Sequence, residues 1–354
     1  MTRPTRVTVD LSAARANLRR ARELAPNSKL MAVVKADGYG HGIVRMAGAF
    51  ADADALGVAS LDEAEVLRRA GVEQRIVLLE GPFDAGEFQT IVELNLDTVI
   101  HSHRQLEYLP DGKTPNSVWL KVDTGMHRLG FDPCEFRAAY ERIASVVPEV
   151  ILMSHFANAD DRSSSMVEQQ SAVFDALVDG ERPCSLANSA GLLGWRGTHR
   201  QWVRPGVMLY GVSPFIDTIG RDHDLKPVMS LETELISTRH VAAGESVGYG
   251  GRFRASESMP VGVAACGYGD GYPRHAGTGT PVLVNGARCR VIGECSMDMI
   301  AIDLSAAPGA QIGDRVTLWG AQLPVEEIAR SAGTIPYELL CGMKLRARFV
   351  ETDD

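Results

Sequence analysis

Short apolar runs alternate with amphipathic segments from residue 30 to residue 211. Eight of the runs are strand candidates, at residues 30–35, 55–60, 76–80, 98–101, 118–123, 150–155, 184–189 and 203–211. Residues 61–70, between two of the runs, carry apolar side chains at helical spacing and precede Gly71, a residue type that commonly ends helices. Eight strands separated by helices predict a closed parallel (β/α)8 barrel, although an open doubly wound sheet gives a similar pattern with fewer strands.

The pattern changes near residue 228, where strand-like stretches become dominant and are separated by glycines and short turns. The predicted strands lie at 231–239, 261–266, 281–284, 290–293, 299–304 and 315–319, and one late helix is predicted over 325–332. These features are typical of a small all-β domain. The predicted fold class is therefore α/β plus all-β: a TIM-like (β/α)8 barrel over residues 10–228, followed by a β-strand-rich domain over residues 229–354.

The composition is that of an ordinary globular protein large enough for two domains. The chain has 354 residues, of which 45% are hydrophobic and 23% charged, and its formal net charge is -9. This acidic balance argues against binding to nucleic acid or to an anionic membrane surface. No apolar run reaches the length of a membrane span, and the first ten residues contain no apolar core of a signal peptide.

The cysteines are scattered along the chain and form no CxxC pair. They are Cys134, Cys184, Cys266, Cys289, Cys295 and Cys341. The spacing of a metal site is therefore missing, and no metal is expected. In a chain of this size such cysteines indicate free thiols in a reducing compartment, which predicts a cytoplasmic protein.

Lys35 stands at the end of the first apolar run, directly before a loop with three glycines, Gly38, Gly40 and Gly42. A strand buried on both faces has little use for an ammonium group, and glycines let the backbone approach a ligand closely. A lysine held between apolar packing and such a loop can lose its proton and attack a carbonyl, which is the chemistry of a Schiff-base lysine. The alternative is a lysine that snorkels from the end of the strand.

Polar side chains also mark the ends of later predicted strands. They are Asp123, His155, Asn188, Ser189 and Arg204. In a (β/α)8 barrel these ends meet at the face that carries the chemistry, and the last βα loops often bind phosphate. A hydroxyl at Ser189 and backbone N–H groups at Gly206 and Val207 are the donors that such an anion site needs.

The loop after Lys35 has the sequence Ala-Asp-Gly-Tyr-Gly-His-Gly at residues 36–42, and further characteristic blocks lie at 120–130, 153–160, 186–191, 203–211 and 266–274. Together these blocks resemble the motifs of bacterial alanine racemases of fold type III, and they span nearly the whole chain. The resemblance implies that pyridoxal 5'-phosphate is the cofactor. It further implies that L-alanine and D-alanine are interconverted by two-base proton transfer on a pyridoxal-phosphate aldimine, with a product that feeds peptidoglycan synthesis. Residues 1–9 are then expected to join the β-domain as a strand.

By this resemblance Lys35 and Tyr268 are the two catalytic residues, one on each face of the planar reacting centre. Tyr268 takes the proton from the L isomer, and Lys35 takes it from the D isomer. A tyrosine near its usual pKa of about 10 is a poor base at neutral pH. Positive charge acting from Arg204 through His155 is the remedy that the family implies. In the family this tyrosine comes from the partner subunit, so a homodimer with composite active sites is expected.

The resemblance also assigns residues to the cofactor and to the substrate. Arg204 donates to the pyridine nitrogen, and because a guanidinium does not readily yield its proton, return of the proton to Cα is favoured over transamination. The cofactor-binding residues besides Lys35 and Arg204 are Tyr39, His155, Asn188, Ser189, Gly206, Val207 and Tyr337. The substrate contacts are Arg128, Met297 and Asp298. Lys121 matches a lysine that is often carbamylated and orients the arginine, while an ordinary ion pair is the alternative.

Three other functions are compatible with parts of the pattern. A non-catalytic pyridoxal-phosphate carrier shares the barrel and the lysine, but lacks the β-domain that contains Tyr268. A barrel enzyme would use Lys35 in a Schiff base without the cofactor, but the phosphate donors Tyr39, Ser189 and Gly206 argue against it. A racemase for serine, lysine or a broad range of amino acids is the closest alternative, because the sequence does not give the width of the pocket.

Overall fold

The computed structural model describes residues 3–110, 112–178, 182–343 and 346–353. The remaining residues of the predicted domain ranges, which are 1, 2, 111, 179–181, 344, 345 and 354, lie outside the described residues. The chain begins with strand β1 (Arg6–Asp10), which leads directly into helix α1 (Leu11–Leu24). The helix begins here because the Asp10 carboxylate accepts the backbone N–H of Ala13 at 2.8 Å, as an N-cap does.

Eight parallel strands form a closed barrel, which confirms the predicted fold class. They are β2 (Lys29–Val33), β3 (Ala55–Val58), β4 (Ile76–Leu78), β5 (Asp97–Ile100), β6 (Ser117–Lys121), β7 (Glu149–Met153), β8 (Cys184–Ser185) and β9 (Trp202–Val203). The helical segments between them are α2 (Lys35–Tyr39), α3 (Ile43–Ala49), α4 (Leu61–Arg69), α5 (Glu87–Glu93), α6 (His103–Glu107), α7 (Phe136–Ala144), α8 (Met166–Asp175) and α9 (Ser189–Gly194). The ring closes where β9 pairs with β2, with Trp202 opposite Lys29.

The barrel interior is filled by one apolar cluster to which seven of the eight strands contribute. Its members are Met31, Ala55, Val77, Val99, Trp119, Ile151, Met153 and Trp202. The rings of Trp119 and Trp202 meet edge to face, with centroids 5.2 Å apart. Asp97 accepts the indole N–H of Trp119 at 3.1 Å and forms an ion pair with Arg75. Because the interior is packed, only the strand ends and the following loops are available for chemistry.

The last two barrel strands are shorter than the sequence predicted. The predicted strands over 184–189 and 203–211 are wrong beyond Ser185 and Val203, where β8 and β9 end. Pro205 has no N–H to offer a sheet, and a 3-10 turn, Val207–Tyr210, follows it. After β8, Asn188 already caps α9. The polar residues of both segments therefore lie in loops at the barrel mouth rather than in strands.

The second half of the chain forms a separate strand-rich domain. Its strands are β10 (Met229–Val241), β11 (Ser246–Val247), β12 (Phe253–Arg254), β13 (Met259–Ala264), β14 (Pro281–Val284), β15 (Ala287–Ile292), β16 (Ile300–Asp303), β17 (Arg315–Trp319) and β18 (Arg348–Thr352). The main sheet has the order β13-β16-β15-β14-β17-β10-β1-β18, and β10 also pairs with β13, so that six strands close into a ring. The buried rings of Tyr272 and Trp319 stack inside this domain at 6.1 Å.

Both ends of the chain meet in this sheet. Arg6 of β1 lies opposite Glu232 of antiparallel β10 and opposite Arg348 of parallel β18. Helices α10 (Val325–Ala332) and α11 (Pro336–Cys341) precede β18. The α10 helix was predicted at this position. A Cβ on Gly40 would lie only 2.1 Å from the carbonyl oxygen of Leu340, so α11 packs directly against the end of α2.

Three further observations concern the described part of the chain. None of its helices combines the length and the apolar character that a membrane crossing requires. No group of three or more histidine, cysteine or acidic side chains within it is arranged to hold a metal ion. The six cysteines are free thiols.

Candidate active site

A cavity of ≈ 920 Å³ opens where the C-terminal ends of the barrel strands meet. It brings together eleven of the residues predicted from the sequence: Lys35, Tyr39, Lys121, Arg128, His155, Asn188, Ser189, Arg204, Gly206, Val207 and Tyr337. The cavity lining does not include Tyr268, Met297 or Asp298. Residues of α10 and α11 form part of the rim, so the β-domain of the same chain covers one side of the barrel mouth.

The turn α2, which carries Lys35 and Tyr39, is left-handed. Residues 36–39 have φ values between 52° and 61°, and only one of them is a glycine. This conformation costs roughly 1–2 kcal/mol for each L-residue, so tertiary contacts must hold it. Glu63 provides one of these contacts, because its carboxylate accepts the N–H of Ala36 at 2.7 Å. The strained turn places the lysine and the tyrosine in the lining of the same cavity.

The phenol of Tyr39 is held by two other aromatic rings. Its ring stacks on Tyr210 with centroids 4.6 Å apart, and its centroid lies 6.0 Å from that of Tyr337. Burial raises the pKa of the Tyr39 phenol well above its usual value, so the hydroxyl remains a proton donor at neutral pH. Gly206 lies directly against this hydroxyl, and a Cβ there would be 2.5 Å from Oη. The missing side chain at 206 therefore leaves room for the phenol.

His41 packs behind this cluster, fully buried, with its ring centroid 4.7 Å from that of Tyr210. Its Nδ1 lies 2.9 Å from the carbonyl oxygen of Tyr39 and 3.1 Å from that of Gly38, so Nδ1 carries the hydrogen. Nε2 has no hydrogen-bond partner within the described residues. Burial lowers the pKa of His41 to about 4, and the ring is neutral at neutral pH.

Ser189 and the turn after β9 form a group of donors at the cavity wall. The Ser189 hydroxyl oxygen accepts the N–H of Gly206 at 2.9 Å and that of Met208 at 3.3 Å. Because both bonds use lone pairs of the oxygen, the hydroxyl hydrogen is free to donate to an anion. The N–H of Val207 begins a 3-10 turn, where the first N–H groups have no acceptor within the turn. The N–H of Gly206, in contrast, is already used by Ser189.

Asn188 has a role in the fold that the sequence did not reveal. Its side-chain oxygen accepts the N–H of Gly191 at 2.9 Å and so caps α9. The carboxamide nitrogen is the part of this side chain that remains as a donor for a ligand.

Arg204 is only 4% exposed, yet its guanidinium has several acceptors. NH1 donates to the Ser185 hydroxyl at 2.5 Å, and NH2 donates to the carbonyl oxygens of Ser154 at 2.6 Å and Leu186 at 3.3 Å. Burial lowers the pKa of Arg204 to about 10, so the group is still charged at neutral pH. These bonds fix the plane of a buried cation at the cavity wall.

His155 is the next residue along this hydrogen-bond chain. Its Nδ1 lies 3.4 Å from NH2 of Arg204. A guanidinium only donates, so Nδ1 accepts and the imidazole hydrogen is on Nε2. Burial, and after it the charges of Arg204 and Lys121, lower the pKa of His155 well below its usual value. The neutral ring therefore offers one N–H, at Nε2, to a further acceptor.

Lys121 is buried among other cations. Burial lowers the pKa of this lysine to about 8, and the charges of Arg204, Arg128 and Lys35 act in the same direction. An ordinary lysine has a pKa of about 10.4 and is almost fully protonated at pH 8. Lys121 therefore has a far larger share of the unprotonated, nucleophilic amine at mildly alkaline pH.

Asp123 shapes the exposed loop that carries Arg128. One carboxylate oxygen accepts the N–H groups of Gly125 at 2.9 Å, Met126 at 3.0 Å and His127 at 3.0 Å. Burial alone would raise the pKa of Asp123, but these hydrogen bonds bring it below its usual value. The carboxylate stays ionised and holds the loop so that Arg128 reaches the cavity lining.

Tyr268, Met297 and Asp298 lie together on the surface of the β-domain instead of in the cavity. Tyr268 is 38% exposed and Met297 is 52% exposed. Two main-chain hydrogen bonds join their loops, from Tyr268 N to Ser296 O at 3.1 Å and from Gly269 N to Met297 O at 2.8 Å. The predicted residues therefore form two groups within one chain. One group lines the cavity, and the other, which contains Tyr268, lies on a different surface.

Comparison with known protein families identifies both domains. Residues 9–214 match the family described as alanine racemase, N-terminal domain, and residues 228–351 match alanine racemase, C-terminal domain. The alanine racemase of Halorhodospira halophila is 49% identical over 357 residues, which cover 98% of this chain and 98% of that protein. The alanine racemase of a Janthinobacterium species is 46% identical over 360 residues, covering 100% of each.

Solved structures give the same result. The crystal structure of biosynthetic alanine racemase from Pseudomonas aeruginosa matches with a TM-score of 0.97 and 47% identity, covering 99% of this chain and 100% of that one. Alanine racemase from Bartonella henselae, crystallised with covalently bound pyridoxal phosphate, matches with a TM-score of 0.89 and 29% identity over 99% of both chains. The sequence-based resemblance is confirmed, and the chain belongs to the alanine racemase family.

Proposed function

We propose that this protein is a pyridoxal-phosphate-dependent alanine racemase. The observation that carries the proposal is the convergence of Lys35, Tyr39, Ser189 and Arg204 on one cavity. An amine, two hydroxyl donors and a buried guanidinium match a cofactor that has an aldehyde, a phosphate and a ring nitrogen. The names of the relatives, and the cofactor bound to one of them, support the same activity.

The residues of the cavity fit this cofactor. Four basic side chains line the cavity: Lys35, Lys121, Arg128 and Arg204. Their positive charge stabilises anionic groups such as phosphate, phenolate or carboxylate. Lys35 would hold the cofactor covalently, while the hydroxyls of Tyr39 and Ser189 and the N–H of Val207 would bind the phosphate. When bound, the cofactor supplies an electron sink that stabilises negative charge at the substrate Cα.

Arg204 would bind the ring nitrogen and keep its own proton. Its pKa of about 10 lies well above neutral pH, and three anchored hydrogen bonds hold the guanidinium in place. A donor that does not give up its proton limits the negative charge that moves onto the ring. We therefore expect the proton to return to Cα in preference to other atoms.

Racemisation needs a proton-transfer group on each face of the substrate Cα. Lys35 provides one of them from the barrel. Tyr268 is exposed and lies outside the cavity of its own chain, so we infer that it enters the cavity of a second copy. The protein would then act as a homodimer with two composite sites. The Nε2–H of His155 would donate to the Tyr268 oxygen and so hold that phenol at the substrate.

Arg128 would bind the substrate carboxylate, and Lys121 would hold Arg128 in place. The unprotonated amine of Lys121 can add to carbon dioxide, forming an N–C bond and releasing one proton. The resulting carbamate is an anion among cations, which suits its surroundings. Met297, through its main chain, and Asp298 would reach the substrate from the partner, and Tyr337 would narrow the entrance so that small side chains are favoured.

Mixing two inactive variants tests the composite site. Lys35→Ala and Tyr268→Phe should each abolish most turnover in both directions. If equal amounts are dissociated and reassociated together, random pairing gives about a quarter of the native number of sites with both groups intact. Recovery of about that fraction of activity supports the proposal. A site built within one chain would give no recovery, and so would refute it.

A panel of amino acids tests the substrate. Circular dichroism should show rapid loss of optical activity for L-alanine and much slower loss for L-serine and L-lysine. Faster turnover of a larger amino acid would instead favour the broader racemase. Borohydride reduction followed by peptide mass spectrometry should find the cofactor attached to Lys35, and attachment elsewhere would exclude the proposed role of this residue.

We also propose the domain limits and the location. The barrel would comprise residues 10–228, and the β-domain residues 229–354 together with residues 1–9. The pairing of β1 with β10 and β18 supports the assignment of the first strand. The free thiols support a cytoplasmic location, where the D-alanine product would serve peptidoglycan synthesis.

A further inference from the structure

Asp270, two residues after Tyr268, is fully buried and forms two ion pairs. The guanidinium of Arg3 forms a bidentate contact with the Asp270 carboxylate, in which Nε donates at 3.0 Å and NH2 at 2.8 Å. Arg346 adds a contact from Nε at 3.0 Å. The same carboxylate also accepts the N–H of Gly267 at 2.9 Å. A buried carboxylate with this many donors fixes the backbone on both sides of Tyr268.

The same two arginines also bind the loop of Met297. Arg3 NH2 donates to the carbonyl oxygen of Asp298 at 2.5 Å, and Arg346 forms an ion pair with the Asp298 carboxylate. One guanidinium comes from the beginning of the chain and the other from its end. Together they tie two loops of the β-domain into one unit.

The backbones of the two loops also approach each other closely. A Cβ on Gly267 would lie 2.2 Å from the carbonyl oxygen of Ser296 and 2.5 Å from that of Met297. The main-chain bonds at Tyr268 and Gly269 lie directly beside this contact. The position of the phenol is therefore set by the contact between the loops, and the ion pairs hold that contact together.

We propose that Arg3 and Arg346 are positioning residues for Tyr268, acting through Asp270 and Asp298. The inference rests on the proposed function, since it assigns a task to groups around the second base. If Arg3 is lost, the buried Asp270 carboxylate loses its bidentate partner and keeps only the single contact from Arg346 to balance its charge. The loop then shifts, and misplacement by about 1 Å at a reacting group can lower a rate by about 10²-fold.

The experiment compares Arg3→Ala and Arg3→Lys with the control Arg6→Ala. Arg6 lies three residues further along and also forms an ion pair, with Glu232 of β10 at 2.6 Å instead of with the Tyr268 loop. Purified holoenzyme is assayed in both directions, with ordinary alanine and with alanine deuterated at Cα. Cofactor content and the dimer fraction are measured on each sample.

We expect Arg3→Ala to lower kcat by about tenfold or more, with Arg3→Lys intermediate and Arg6→Ala close to native. Because only the transfer at Tyr268 is slowed, the deuterium isotope effect should rise for L-alanine and fall towards one for D-alanine. A merely structural role would reduce the active fraction and leave both isotope effects at native values. That result, or native rates in Arg3→Ala, would overturn the inference.

If Arg3→Ala does not fold, Arg3→Lys supplies the same isotope test with the charge retained. The inference and the proposed function can fail separately. Native turnover in Tyr268→Phe would remove the proposed function itself. Loss of turnover in Tyr268→Phe, together with unchanged isotope effects in the Arg3 variants, would remove only the positioning role.

Discussion

Gly206→Ala is the sharpest test of the cavity wall. The new Cβ would lie 2.5 Å from the Tyr39 hydroxyl oxygen and 3.3 Å from its Cζ, whereas ordinary contact begins at 3.4 Å. The phenol must therefore retreat by about 0.9 Å, or the turn at 206 must move. Neither is free to do so, because the ring stacks on Tyr210 at 4.6 Å and the N–H of residue 206 is bonded to Ser189 at 2.9 Å.

Overpacking of this kind typically costs about 1–3 kcal/mol. We expect the free energy of unfolding to fall by that amount. We also expect the affinity of the apoprotein for pyridoxal phosphate to fall by about tenfold or more, since 1.4 kcal/mol of lost binding is about a factor of ten. Thermal or urea unfolding measures the first quantity, and fluorescence titration of the apoprotein with the cofactor measures the second.

Two further variants show whether the cause is the contact at Tyr39. Gly197→Ala is the control, because a Cβ at that barrel-loop position has nothing within 4 Å. Tyr39→Phe removes the oxygen that the new methyl group meets. In the Tyr39→Phe background, Gly206→Ala should cost clearly less stability than in the native protein, which a double-mutant cycle measures. Equal costs in both backgrounds, or native cofactor affinity in Gly206→Ala, would refute the reasoning.

Three other variants address Lys121, the buried His41 and the contact between the loops of Tyr268 and Met297. With ¹³C-bicarbonate at about pH 8, NMR should show a carbamate signal that is lost in Lys121→Ala; a signal that persists would place the carbamate elsewhere. The folded-state pKa of His41 is lowered to about 4, so the unfolded state binds more protons than the folded state between about pH 6.5 and 4. The free energy of unfolding should therefore fall as the pH drops through this window, by about 3 kcal/mol at most. In His41→Gln this fall should be more gradual. Gly267→Ala should lower kcat while leaving cofactor affinity native, because its Cβ would lie 2.2 Å from the Ser296 oxygen in the loop contact; weakened cofactor binding would contradict this separation.

The barrel could be predicted because its strands are apolar on both faces. Residues 30–34 and 55–58 are buried throughout, so a local run of hydrophobic residues is enough to locate them. Strand β18 left no such signal. Two of its five residues are exposed and three are partly buried, and its partner β1 lies at the other end of the chain. Pairing between distant segments is not recorded in a local pattern.

The same distinction applies to the site. Lys35, His155 and Arg204 were predicted to lie together because the barrel topology gathers strand ends at one face, whereas Lys121 was assigned only by the resemblance to the family. Individual hydrogen bonds could not be predicted from the sequence. Asn188 is an example, because its side-chain oxygen caps helix α9. Arg3 and Arg346 were missed because each is a single arginine without a motif. The aspartate between two glycines at 269–271 was the only local hint of the network around it.

Together with Trp195, the tryptophans of the two cores give each half of the molecule its own optical reporter. The chain has four, and Trp319 is the only one in the β-domain, while Trp119, Trp195 and Trp202 belong to the barrel. Replacing Trp319 with phenylalanine would confine indole emission to the barrel, so denaturant titrations of the two forms would show whether both halves melt at the same midpoint. A lower midpoint for the β-domain would mean that the loop carrying the phenol can be lost before the cavity is.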